Sequence, residues 1–182
     1  MSTIPRNEQM VIRPVTIADH EEISALVQRS IQHLLTNDYA PDEIATAARY
    51  IKTVEPELIE DGTYYVAEIA GKMVGSGGWS RRHSVHPLKL GEQSVARDPV
   101  RDPAAIRAIF VDPAWARRGI GRCIMQRVEA EAQSLRFRSF ELMATLTGEP
   151  LYHRLGYKVK ERTHLAFPNG MQLPAVMMMK RV

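Results

Sequence analysis

The sequence predicts an α/β fold: a mixed β-sheet with helices packed on both faces. Three observations predict it. The hydrophobic pattern is helical up to about residue 55 and strand-like just after it. Residues 63–80 read as two β-rich runs joined by Ala70-Gly71, which is a hairpin and hence antiparallel. Ala105–Leu146 reads as strand, helix, strand, which requires parallel pairing through a right-handed crossover. The full order is β-α-α-β-β-β-α-β-α-β-β, expected as one domain over residues 1–182.

Composition narrows the function classes. The 182 residues are 45% hydrophobic and 25% charged, ordinary for a globular chain with a real core. A net charge of +3 is too small to argue for nucleic acid. Cys123 is the one cysteine, so no internal disulfide can form, which fits a reducing compartment. No apolar run approaches the roughly 18 residues of a membrane span. The N-terminus has no apolar signal core. The expectation is a cytoplasmic protein without a membrane partner.

In chain order, residues 1–9 are polar and expected to fray. Met10–Pro14 is a short apolar run closed by proline, suited to an edge strand. Asp19 and Glu22 have capping-pair spacing, and Ile23, Leu26, Val27, Ile31, Leu34 and Leu35 follow at helical spacing. Asn37-Asp38 breaks that helix. Pro41 opens a second, which ends before Pro56. Thr63–Ile69 and Lys72–Ser80 form the hairpin. Gly75, Gly77 and Gly78 in its second strand mark a bulge or a close backbone approach. Arg81–Pro103 has three prolines and no period, and reads as a long loop.

Ala105–Val111 is nearly continuously apolar, the pattern of a strand covered on both faces. After Asp112-Pro113-Ala114-Trp115 comes an amphipathic helix with Ile120, Ile124, Val128 and Leu135 on one face. Arg122, Gln126, Glu129 and Gln133 lie on the other. Phe140–Leu146 is a strand, Thr147–Leu155 a short helix closed by Gly156, and Tyr157–Glu161 a strand. Pro168-Asn169-Gly170 turns the chain into the last strand, Met171–Lys180.

Chemistry concentrates after the central strand. A helix start offers free backbone N–H groups and a positive dipole end. In Ala116-Arg117-Arg118-Gly119-Ile120-Gly121-Arg122, two glycines let a ligand approach that backbone, and three arginines add charge. These are the parts of a phosphate cradle, although a Gly-x-Gly pair is also a common tight turn.

Four features together resemble the GNAT superfamily of acetyl-CoA-dependent N-acetyltransferases. They are the strand ending Phe110-Val111-Asp112-Pro113, the glycine loop Ala116–Gly121, the amphipathic helix behind it, and Pro150-Leu151-Tyr152-His153-Arg154-Leu155-Gly156-Tyr157. The chain departs from the family at Ala116, where Gln or Arg is usual. The resemblance implies the acyl-CoA N-acyltransferase fold, with a central strand that splays from its parallel neighbour. It implies that Ile109, Phe110 and Val111 hold the pantetheine arm, with the Val111 N–H facing the thioester carbonyl. Arg117, Arg118, Gly119, Ile120, Gly121 and Arg122 would hold the pyrophosphate. It places Tyr152 as the acid that protonates the departing thiolate; the other reading is an aromatic packed at a helix end.

The acceptor implied is an amine of a small molecule or a protein. Tyr39, Tyr64, Tyr65, Trp79 and His83 are candidates for its pocket, and Trp79 reads rather more readily as a core aromatic on an inward strand face. No general base stands out. Glu68, His83 and His86 are candidates that also read as surface residues, Asp112 reads as a turn cap, and a water chain can serve. Met177-Met178-Met179 reads as strand packing, so no metal is expected, and a homodimer is possible. The competing functional readings are a non-catalytic acyl-CoA-binding module on the same fold and a nucleotide- or nucleic-acid-binding protein.

Overall fold

The computed structural model describes residues 9–52, 54–83 and 95–182. The frayed segment expected at 1–9 lies, apart from Gln9, outside the described residues. His86 and the middle of the 81–103 segment also lie outside them.

The chain runs β1 (Met10–Pro14), α1 (His20–Leu34), α2 (Pro41–Tyr50), α3 (Pro56–Glu60), β2 (Tyr64–Ile69), β3 (Lys72–Ser80), β4 (Arg82–His83) and β5 (Val95–Ala96). It continues with β6 (Ala104–Val111), α4 (Ile120–Ser134), β7 (Ser139–Thr145), α5 (Glu149–Arg154), β8 (Lys158–Ala166) and β9 (Gln172–Arg181). Seven strands form one mixed sheet in the order β1-β2-β3-β6-β7-β9-β8. The mixed sheet and the parallel crossover at its centre are as the sequence predicts.

Three differences concern element limits. α3 was not foreseen; Pro56 does not just end the preceding segment, it occupies the first position of a new helical turn. The 81–103 segment is not wholly loop, because β4 and β5 pair as a two-stranded ribbon. β8 extends to Ala166, five residues past the expected end. It is an edge strand exposed over much of its length, so it lacks the hydrophobic alternation that marks a strand in sequence.

Two cores sandwich the sheet. On one side α4 and α5 bury Ile120, Ile124, Met125, Val128 and Tyr152 against Trp79, Phe137 and Phe140. On the other, α1 and α2 bury Ile23, Leu26, Val27 and Ala47 against Tyr64, Val66 and Met73. The glycines of β3 serve close approach. A Cβ on Gly75 would stand 2.7 Å from Ile120 Cγ2 and 2.9 Å from Ile124 Cδ1, so α4 lies directly on the strand.

Two residues depart from the faces predicted for this helix, Leu135 just past the end of α4 and Glu129 within it. Leu135 is exposed, and Phe137 fills the core beyond the helix end instead. Glu129, assigned to the polar face, is buried. It accepts a hydrogen bond from the Tyr157 hydroxyl at 2.9 Å and pairs with Lys180 Nζ at 2.6 Å. Burial and this carboxylate push the Tyr157 phenol above its ordinary value.

Candidate active site

The site starts from the way β6 leaves its neighbours. β6 and β7 pair in parallel only at Ala104–Phe140 and Ala105–Glu141. Beyond them the strands part. A second irregularity lies just beyond, on the other edge of β6. Against β3, Gly78 pairs with Arg107 and Ser76 with Phe110, two steps on β3 facing three on β6. The extra residue is a bulge, and Ala108 within it has φ +53°. A left-handed alanine costs on the order of 1–2 kcal/mol. The buried Tyr64 holds it in place: its hydroxyl donates to the Ala108 carbonyl at 3.0 Å and lies 2.9 Å from Ser76 Oγ. Burial pushes the Tyr64 phenol up, so it stays a protonated donor.

Past the bulge, Asp112 N–H donates to Val74 O on β3 at 2.9 Å. Successive N–H groups of a strand point to opposite edges. Val111 N–H therefore faces the β7 edge, into the gap. Asp112 is buried and caps the turn that follows, accepting from Ala114 N at 2.9 Å. Arg29 of α1 grips its other oxygen at 3.0 Å. The cap reading holds for Asp112.

The gap opens into a cleft of about 860 Å³ that passes through the sheet. One end is the start of α4. Arg117 (φ +65°) and Gly119 (φ +87°) are both left-handed, which turns the chain tightly into the helix. The N–H of Cys123 is taken by Gly119 O, and those of Ile120, Gly121 and Arg122 precede it at the open end of the helix. Ala116, Arg117, Gly119, Ile120, Gly121 and Arg122 all line the cleft. A Cβ on Gly121 would stand 3.1 Å from Leu151 Cδ2, so glycine keeps this wall low where α4 faces α5. The cradle fits an anionic group in shape, charge and donors.

The middle of the cleft is lined by Ile109, Phe110 and Val111 on one side and by Met143, Thr145, Gly148 and Tyr152 on the other. Tyr152 is brought there by α5, packs edge-on to Tyr157 at 6.0 Å, and is pushed above its ordinary pKa by burial. Its hydroxyl has no hydrogen-bond partner among the described residues. The far end lies on the α1–α2 side, between Ile31, Leu34, Ile51, Leu165 and Leu173.

Several predicted residues lie elsewhere. Arg118 stacks on the Trp115 ring, 4.8 Å from its centroid, and does not line the cleft. Trp79 is fully buried in the α4-side core, edge-on to Phe137, because its β3 position faces that helix. It offers no surface to an acceptor. Tyr39 is buried with its hydroxyl engaged, donating to Pro174 O and accepting from Leu146 N, both at 2.7 Å. It braces the cleft wall without lining it. His83 sits on the ribbon against Asp102 at 3.1 Å, and Glu68 is paired with Arg13 at 2.6 Å. Neither lines the cleft. Arg107 lines it and was missed, since an arginine inside an apolar strand carries no motif.

Residues 60–159 match the family model described as the acetyltransferase (GNAT) domain. The chain belongs to the GNAT acetyltransferase family. Solved GNAT-type structures share its fold. A GCN5-related N-acetyltransferase structure from Rhodopseudomonas palustris is 21% identical, with a TM-score of 0.72 over 100% of this chain and 98% of that one. PaiA N-acetyltransferase from Thermoplasma acidophilum, in complex with coenzyme A, is 13% identical, with a TM-score of 0.67 over 96% and 99%. YncA from Salmonella typhimurium, with its cofactor acetyl-CoA, is 19% identical, with a TM-score of 0.64 over 95% and 94%. No curated protein matches the chain. The resemblance read from the glycine loop and the Tyr152 segment is thus a true family relation, and the splayed sheet is the GNAT fold. No helix among the described residues is long and apolar enough to cross a membrane.

Proposed function

We propose that this GNAT protein transfers an acetyl group from acetyl-CoA to a primary amine by direct attack on the thioester. The observation that carries the proposal is the cleft through the sheet, with an anion cradle at one end, an inward N–H at its centre and an apolar chamber at the other end. The α4 N-terminus, with Arg117 and Arg122, binds the pyrophosphate. Ile109–Val111 hold the pantetheine arm as an added strand along the unpaired edge of β6. Two neighbours carry coenzyme A or acetyl-CoA, which supports the same co-substrate here.

The residues then have distinct tasks. Val111 N–H stabilises negative charge as it develops on the thioester oxygen. The amine nitrogen forms the new C–N bond and gives up one proton to water, and the C–S bond breaks. Tyr152 delivers its phenolic proton to the departing sulfur and regains one from solvent. Its raised pKa keeps that proton in place at neutral pH. Alignment of the two substrates supplies much of the acceleration.

A thiol-release assay with acetyl-CoA and a panel of amines tests the reading, with Tyr152→Phe as the paired variant. Turnover that falls in the variant at unchanged coenzyme A affinity supports it. No turnover with any amine, with coenzyme A still bound, supports a binding module on the same fold. One observation favours that second reading: no carboxylate or imidazole is among the described residues lining the cleft.

A further inference from the structure

The far chamber of the cleft is apolar except for one charge. Ile31 and Leu34 of α1, Ile51 after α2, Phe110 of β6, and Leu165 and Leu173 of the β8–β9 hairpin form its walls. Arg107 of β6 also lines it. The other cationic lining residues, Arg117, Arg122 and Arg154, belong to the α4–α5 side, where the pyrophosphate cradle lies. Arg107 projects to the opposite side, because its partner there is Glu55, just ahead of α3.

The pairing is partial. Arg107 Nη1 donates to Glu55 Oε1 at 3.2 Å, and the side chain is a quarter exposed. A guanidinium has five N–H donors in a fixed fork. Glu55 occupies one and orients the group, while the rest of the fork has no partner among the described residues. A planar fork in an apolar chamber suits bidentate capture of a carboxylate. A polyamine or a lysine-rich segment would bring further positive charge beside this cation and offers no group for its free donors.

We infer that the acceptor is a hydrophobic amino acid, whose carboxylate is taken by Arg107 and whose side chain fills the Ile31–Leu34–Ile51–Leu173 chamber. This deepens the acetyltransfer reading and rests on it for the reaction. Arg107 lies four residues before Val111, roughly 13 Å along an extended strand and less across the bulge. The acceptor amine is thereby pointed along β6 toward the thioester position.

The test compares leucine, methionine and phenylalanine with their decarboxylated counterparts, isoamylamine, 3-(methylthio)propylamine and phenethylamine, and with spermidine. Two readouts run in parallel: calorimetric binding to the coenzyme A-loaded protein, and kcat/KM from thiol release. In the native protein each amino acid should exceed its decarboxylated counterpart by at least about tenfold in both, since a carboxylate–guanidinium pair contributes about that much. In Arg107→Met the ratio should collapse to about one, and in Arg107→Lys it should be intermediate, with unchanged circular dichroism and coenzyme A affinity showing that each variant is folded. Equal or better binding of the decarboxylated amines, or a preference for spermidine, overturns the inference in the native protein without any variant. If amino acids bind with the carboxylate preference but no thiol is released, the Arg107 binding assignment stands and the acetyltransfer reading fails. If thiol is released with no carboxylate preference, the reverse holds.

Discussion

The Tyr64 hydroxyl donates to the carbonyl of Ala108 at 3.0 Å, and Ala108 is the left-handed residue of a bulge in the part of β6 that runs unpaired with β7. A fully buried phenol on β2 is thus tied to the bulge that lines the cleft. Tyr64→Phe removes the hydroxyl that serves both the Ala108 carbonyl and the buried Ser76 hydroxyl. The expected cost is about 1–3 kcal/mol of unfolding free energy, read from urea titration. Coenzyme A affinity should fall with it, because the bulge loses its clamp. A cost under about 0.5 kcal/mol with unchanged affinity shows that Tyr64 only fills space.

Two glycines that look alike in sequence should behave oppositely. Gly75→Ala sets a methyl group 2.7 Å from Ile120 Cγ2 and 3.2 Å from the Phe110 carbonyl, so α4 must lift off β3. Overpacking of this kind costs about 1–3 kcal/mol. Gly121→Ala lies in the first turn of α4, where alanine favours the helix by up to about 1 kcal/mol. Its methyl group projects toward Leu151 at 3.1 Å and raises the wall of the cradle. Thermal melts should show Gly75→Ala clearly destabilised and Gly121→Ala near native. Calorimetry should show at least a tenfold loss of coenzyme A affinity in Gly121→Ala.

Tyr152→Phe should lower kcat by about 10²–10⁴, the usual span for a general acid, with little change in melting temperature. The pH profile carries the sharper test. Burial raises the Tyr152 phenol above its ordinary value of 10.0, so its proton is held through neutral and mildly alkaline pH. The alkaline limb of native kcat should therefore lie above pH 10 and be absent from the variant. A variant with native kcat across the range removes Tyr152 from the acid role.

The strand–helix–strand unit and the hairpin were legible because each rests on local pattern: β-branched runs, a turn pair, and an apolar stripe from Ile120 to Val128. The pyrophosphate loop was legible for the same reason, since its glycines and helix start are contiguous. Tyr39, Trp79 and Glu129 were misplaced because their surroundings are set by residues far away in the chain. The Tyr39 hydroxyl is engaged by Leu146 and Pro174, Trp79 by Phe137, and Glu129 by Tyr157 and Lys180. Ala108 was invisible for a different reason. Alanine gives no signal for a left-handed backbone, and the bulge is imposed by pairing with β3 and held by Tyr64. Glu55 and Arg107 are likewise joined only by tertiary structure, across 52 residues.

Acid sensitivity should originate at the edge of the sheet opposite β8. Arg13 of β1 holds Asp19 at 2.7 Å and Glu68 at 2.6 Å, and Asp19 also accepts from Thr16 N at 2.7 Å, where the chain enters α1. The Arg13 hydrogen bond leads the causes that hold the Asp19 carboxyl well below its ordinary value of 3.8. A depressed carboxylate contributes stability that is complete above the unfolded value, and that stability is lost as pH falls through the folded one. Asp19 therefore stabilises the fold fully at neutral pH and progressively less below about pH 4. Asp19→Asn should cost about 0.5–2 kcal/mol at pH 7, the range for a lost helix-entry cap. The gap to the native protein should narrow steadily as the pH of the urea titration is lowered from 5 toward 2. A gap that stays constant over that range means the ionised carboxylate contributes nothing, and the cluster is then held by hydrogen-bond geometry alone.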